Sequence, residues 1–147
     1  MRLLLCALPV VLVCCSLPAQ EKNIDPKIDL DYLEKTFHLK GKDVQLQSKK
    51  KKGKQSSPHV ILTLLLEFTQ DTDPKKVEDA FTSTDSPKLW VYLFDRDNVL
   101  LKRYALTQTQ GEITGVKGDA FRALTNLETQ PAKNARRIEV RPAVQKK

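Results

Sequence analysis

No cysteine follows Cys15 in this 147-residue chain, and the three present are Cys6, Cys14 and Cys15. Beyond that point disulfides, thiolate nucleophiles and thiolate metal sites are excluded. Asn23, Asn98, Asn126 and Asn134 all lack the Ser or Thr that would make a glycosylation sequon. Histidine is scarce too: His38 and His59 stand alone, without a partner at metal-site spacing. There is no Gly-X-Ser-X-Gly elbow. The carboxylate pairs Asp29/Asp31 and Glu78/Asp79 sit in polar segments, a poor setting for acid–base catalysis. Together these absences point away from an enzyme and give no metal or cofactor site, leaving an unrecognised activity as the rival reading.

Long apolar runs are also lacking, with one exception. Residues 3–17 are uncharged and mostly apolar, follow Arg2, and lead into Ser16-Leu17-Pro18-Ala19. At about fifteen residues, interrupted by Pro9, the run is short of the roughly 20 that a spanning helix needs. It has the anatomy of a secretory signal peptide over residues 1–19. Leu12-Val13-Cys14-Cys15 resembles a bacterial lipobox, except that Cys14 stands where Gly or Ala is usual. Lipid anchoring at Cys15 is therefore the alternative to ordinary cleavage. The expected location is secreted or periplasmic, with no transmembrane segment once the leader is removed.

Charge is abundant and mostly of one sign. Of 25 Lys and Arg only Arg2 lies in the leader, so 24 remain against 18 acidic residues, a net of +6. A basic exported protein meets anionic surfaces: headgroups, wall polymers, acidic glycans. Export makes nucleic acid a poor partner. Lys49, Lys50, Lys51, Lys52 and Lys54 place five lysines in six positions and form the candidate anion-binding site. Lysine supplies point charges without the forked geometry of arginine, so binding there is salt-sensitive and unspecific. A solubilising loop is the competing account. No aromatic interleaves the lysines, against base stacking.

Residues 20–30 read as a flexible arm. Residues 29–39 fit either a short helix or a strand. Val44 and Leu46 alternate with Gln45 and Gln47 as a half-buried strand. Residues 59–69 are the longest apolar strand, with Val60, Leu62, Leu64, Leu66 and Phe68 on one face. Asp73-Pro74 opens a short helix near 74–81, with Val77, Ala80 and Phe81 inward. Leu89, Val91 and Leu93 alternate with Trp90, Tyr92 and Phe94, a strand apolar on both sides and therefore central. The aromatic trio reads as core packing, with an exposed ligand platform as the alternative. Asp95-Arg96-Asp97-Asn98 turns the chain into an antiparallel return. Three oxygen donors in that turn suggest calcium, but Val99 and Leu100 replace the glycine and glutamate such a loop needs, and a plain turn is the simpler account. Residues 111–116 and 120–127 read as strands, 129–135 as a loop, and 136–141 as the closing strand before a basic tail over 143–147.

About seven short strands separated by turns predict an all-β, antiparallel sandwich of immunoglobulin or fibronectin-III type over 31–142. The run from Trp90 to Leu101 resembles the centre of bacterial FxLYD-type domains, where a strand ends in an aliphatic–aromatic–Asp step and turns into an apolar return strand. Gly118-Asp119-Ala120-Phe121 and Ile138-Glu139-Val140 are similar to the later strands of that family, so the resemblance covers about residues 58–142. It implies a secreted or membrane-tethered sandwich without catalytic residues. The expected function is binding or structural support in the cell envelope. The expected partner is an envelope protein or an anionic surface polymer, with a monomer as the default state. A polyanion- or membrane-surface-binding module using the Lys49–Lys54 loop is the alternative.

Overall fold

The computed structural model describes residues 25–49 and 58–144. The leader, Lys50, Lys51, Lys52 and Lys54, and the last three residues lie outside the described residues, as do the expectations placed on them. In chain order the elements are β1 (Lys27–Asp29), α1 (Asp31–Phe37), β2 (Leu39–Lys49), β3 (His59–Phe68), α2 (Pro74–Thr82), β4 (Leu89–Phe94), β5 (Leu100–Ala105), β6 (Gln108–Gln110), β7 (Ala120–Glu128), α3 (Thr129–Asn134) and β8 (Arg137–Pro142).

These eight strands form two four-stranded sheets, ordered β1-β8-β4-β5 and β2-β3-β7-β6. Every pairing is antiparallel except β1 with β8, which run parallel. The pleat decides what lies between the sheets. Along β3 the residues Val60, Leu62, Leu64, Leu66 and Phe68 are buried while their neighbours are half-exposed. Leu89, Val91 and Leu93 of β4, Ile138 and Val140 of β8, and Phe121, Ala123 and Leu127 of β7 join them in one core. Two sheets that share a single apolar interior in this way make a sandwich-like body.

Helices close one pole. Residues 29–39 resolve as a helix running into a strand, with His38 in the left-handed region (φ 54°) at the junction. Asp73 caps α2, accepting from the Lys75 amide at 3.0 Å, and Pro74 takes the first helical position. Phe37 of α1 lies 6.3 Å from Phe81 of α2, and Phe81 in turn meets Phe121, which meets Phe68. Phe81 stands edge-on to Phe121 (centroids 5.3 Å apart, planes at 85°), and Phe68 lies 5.8 Å from Phe121.

Three expectations change. The arm over 20–30 gives way at Lys27, because residues 27–29 pair with 137–139 of β8. Residues 111–116 do not form a strand; β6 stops at Gln110. Gly111 and Gly115 hold φ of 90° and 71°, angles incompatible with an extended ladder. Gly115 also accepts from the Thr72 amide at 2.7 Å, and a Cβ there would lie 2.1 Å from the Thr72 carbonyl oxygen. Residues 129–134 are a short helix rather than a loop. The Thr129 hydroxyl donates to the Pro58 carbonyl at 2.9 Å, and the Ala135 amide donates to the Pro131 carbonyl at 3.0 Å.

The outermost strands differ from the central ones. β1 and β6 have three residues each. β2 carries Lys40, Lys42 and Lys49 and is bulged between Gly41 and Asp43. β5 carries Lys102 and Arg103, and its register with β4 shifts between Leu93 and Phe94.

Candidate anion-binding surface

β4 is flanked by β8 and β5, so both its faces need cover. Leu89, Val91 and Leu93 take the inner face. Trp90, Tyr92 and Phe94 therefore project from the outer face of their sheet and lie outside the shared core. Tyr92 and Phe94 are nonetheless only 3% and 8% exposed. Guanidinium groups account for this. Arg137 of β8 lies 4.1 Å from the Phe94 centroid, Arg141 of β8 lies 4.4 Å from Tyr92, and Arg103 of β5 lies 4.5 Å from Trp90. The Tyr92 and Phe94 rings are themselves near-parallel, 6.5 Å apart. Tyr92 and Phe94 are buried and Trp90 is half-buried, but under arginines and not in the apolar core expected for the trio. Their π faces are already occupied by cations, which disfavours the alternative of a sugar-stacking platform.

Glu139 lies between the two β8 arginines. Its carboxylate accepts from Arg137 at 3.0 Å and stands 3.8 Å from Arg141. The side-chain Nε of Arg141 is buried with no hydrogen-bond partner among the described residues. The Trp90 indole N–H donates to the Pro87 carbonyl at 3.2 Å.

At the Phe94 end of this ladder the surface opens into a cleft of about 450 Å³ lined by Lys27, Asp95, Arg96, Asn98, Arg136 and Arg137. A second hollow of about 350 Å³ continues past Asp97, Leu101 and Asn134. Local structure brings the cations there. The parallel β1–β8 pairing sets Lys27 opposite Arg137, and the Lys27 amide donates to the Arg136 carbonyl at 2.9 Å. The Arg136 guanidinium is held by the carbonyls of Lys133 (2.9 Å) and Ala135 (3.0 Å), while its amide donates to Phe94 (2.8 Å). Arg96 stands in the β4–β5 turn. Among the described residues the ion pairs are Lys42–Glu67, Lys88–Asp79, Lys102–Glu128 and Glu139 with its two arginines. Lys27, Arg96 and Arg136 enter none of them. Beside the cleft, its hydrogen bond to Glu128 raises the pKa of Lys102 above the ordinary lysine value.

The turn itself is rigidly hydrogen-bonded. Asp95 Oδ1 accepts from the amides of Asp97 and Val99, both at 2.9 Å, and the Asp95 amide donates to Val99 at 3.0 Å. Asn98 holds φ of 59°, an angle Asn tolerates better than most residues. The Asp95 carboxylate thus serves the backbone of the turn. No group of three or more His, Cys, Asp or Glu side chains arranged to hold a metal occurs among the described residues. His38 closes α1, its carbonyl accepting from Thr69, and His59 stands at the opposite end of β3, across from Glu128.

Of the lysine cluster only Lys49 is described. It is exposed and ends β2 opposite His59. Because His59 pairs with Glu128, which leads into α3 and then Arg136, the position where β2 ends and the arginine-lined cleft share one pole. Reading the sequence singled out the lysines but missed Lys27, Arg96, Arg103, Arg136, Arg137 and Arg141. Arg137, Glu139 and Arg141 alternate with the buried Ile138 and Val140, yet which rings they cover depends on the β4–β8 register. Such an array can bind anionic groups.

Among the described residues no helix is long and apolar enough to cross a membrane. Comparison with protein-family models, with curated proteins and with solved structures found no match.

Proposed function

We propose that the protein is an exported, non-catalytic sandwich of immunoglobulin or fibronectin-III type, akin to FxLYD domains, that binds an anionic surface of the cell envelope through its basic pole. The observation carrying this reading is the convergence of Lys27, Arg96, Arg136 and Arg137 on one open cleft. Three of them lack a carboxylate partner among the described residues. Cations that outnumber the carboxylates beside them, here Asp95, Asp97 and Glu139, repel one another, and an incoming anion relieves that repulsion. Arginine also offers two parallel donors to phosphate or carboxylate, which lysine does not. Lys49 stands at the same end of the molecule, and the lysines that follow it in sequence add unspecific attraction of at most about 1 kcal/mol each near an anionic surface.

Retention of the full chain on a polyanionic matrix across a salt series tests this. Retention falling with salt, and falling further in an Arg96→Gln/Arg136→Gln variant, supports the reading. Equal retention of parent and variant removes the cleft from it. Lys→Gln changes at 49–52 measure the lysine contribution separately.

A further inference from the structure

Val99 and Leu100 are 57% and 48% exposed. They are consecutive, both aliphatic, and sit at the end of the β4–β5 turn beside the cationic cleft. The other large exposed hydrophobics among the described residues, Val116 and Val144, stand singly. Isolated exposed aliphatics need no explanation, whereas a pair presented at a rigid tip is a different matter. Here the backbone is held by Asp95 Oδ1 and by the Asp95–Val99 amide–carbonyl bond, so no ordering is left to be done when the tip is buried. Setting Asp95, Asp97 and Glu139, the ion-pair partner of Arg137, against Lys27, Arg96, Arg136 and Arg137 leaves these groups positive by one. Aliphatic side chains ringed by cations match the boundary between anionic headgroups and acyl chains. A hydrated polymer would satisfy the cations but offers nothing to Val99 and Leu100.

We propose that the β4–β5 turn is a membrane-docking tip. Val99 and Leu100 enter the interfacial layer of an anionic phospholipid bilayer, while Lys27, Arg96 and Arg136 engage the phosphate groups. The inference rests on the anion-binding reading above and names its source as lipid.

Flotation of the full chain with phosphatidylcholine vesicles, with and without phosphatidylglycerol, tests it alongside a soluble polyphosphate competitor. The parent is expected to float only with the anionic vesicles. Val99→Ser/Leu100→Ser is expected to lower vesicle affinity by about tenfold or more while leaving polyphosphate binding unchanged. Arg96→Gln/Arg136→Gln lowers both. A Leu100→Trp variant adds a second readout: its emission, compared with the parent that carries only Trp90, shifts to the blue on anionic vesicles and is quenched by brominated acyl chains. If the serine variant floats as well as the parent, or the new tryptophan keeps its aqueous emission, the tip does not insert. The cleft then holds anionic surfaces by charge alone, without insertion, and the broader reading survives. If the parent binds neither vesicles nor polyphosphate, both readings fall. Because the two side chains are exposed, matched circular dichroism spectra and melting midpoints exclude unfolding as the cause.

Discussion

Arg137 and Phe94 are cross-strand partners in the β8–β4 ladder, and the guanidinium lies 4.1 Å from the centre of the ring. The neighbouring contacts are diagonal. Arg141 is paired in register with Trp90 but covers Tyr92; Arg103 is paired with Tyr92 but covers Trp90. Two strands thus supply the roof for the aromatic face of a third. That roof keeps a wide apolar strip out of water while leaving charge at the surface.

Removing the roof is expected to expose the rings. Arg137→Ala loses the ring contact and leaves Glu139 with only the more distant Arg141, at a cost of about 1–2 kcal/mol. Urea unfolding measures the loss, and dye binding to the bared Phe94 measures the exposure. Arg137→Lys is expected to recover only part of the stability, since an ammonium cannot lie flat on the ring.

Trp90 is the chain's single tryptophan, which makes the same idea visible optically. Arg103→Ala is expected to red-shift its emission and raise its quenching by acrylamide, with a stability change of no more than about 1 kcal/mol. An unaltered quenching constant would mean that Arg103 contributes no cover.

The turn residues make a third prediction. Asp95→Ala removes the acceptor for two amides and is expected to cost about 1 kcal/mol in a thermal or urea melt. Asn98→Gly is close to neutral, whereas Asn98→Val forces a branched side chain into φ of 59° and costs about 1–3 kcal/mol. Calcium or a chelator leaves the parent midpoint unchanged, because Asp95 is already engaged by its own backbone.

Gly115→Ala is expected to be among the most damaging single changes outside the core, at least about 2 kcal/mol. The new methyl meets both a positive φ and the Thr72 carbonyl oxygen. Gly118→Ala, with a similar φ but open space around it, costs less. Comparing the two midpoints separates backbone strain from collision.

Position along one hairpin sets the scale for the last comparison. Leu93 is fully buried and Leu100 is 48% exposed. Leu93→Ala is expected to cost about 2–5 kcal/mol, and Leu100→Ala to stay within about 0.5 kcal/mol. Equal losses would contradict the assignment of faces on β4.

Much of the chain's local structure could be read in advance. Alternation over Val60–Phe68 marked β3 and its buried side, and Asp73-Pro74 marked the start of α2. The Asp- and Asn-rich turn marked the β4–β5 hairpin. What could not be read was non-local. β4 is apolar on both faces, so alternation alone could not tell which side meets the other sheet. The cover over Trp90, Tyr92 and Phe94 comes from residues 103, 137 and 141, and only strand order and register bring them there. The cleft depends on a parallel pairing between Lys27 and Arg137, 110 positions apart, which no local pattern encodes. Gly111 and Gly115 were visible as glycines, but the close approach of Gly115 to Thr72 is a long-range contact that no local pattern shows. The helix at 129–134 carries no capping side chain to announce it.

The margins of both sheets have a consequence for the protein at high concentration. Unpaired strand borders recruit other chains when they are long, flat and neutral. Here two are only three residues long, and the other two combine basic side chains with a break in register. Among the described residues a neighbouring molecule finds only short borders, or basic ones interrupted by a bulge, on which to stack. Without a disulfide to lock it, the body resists fibrillar templating through the geometry of its own borders.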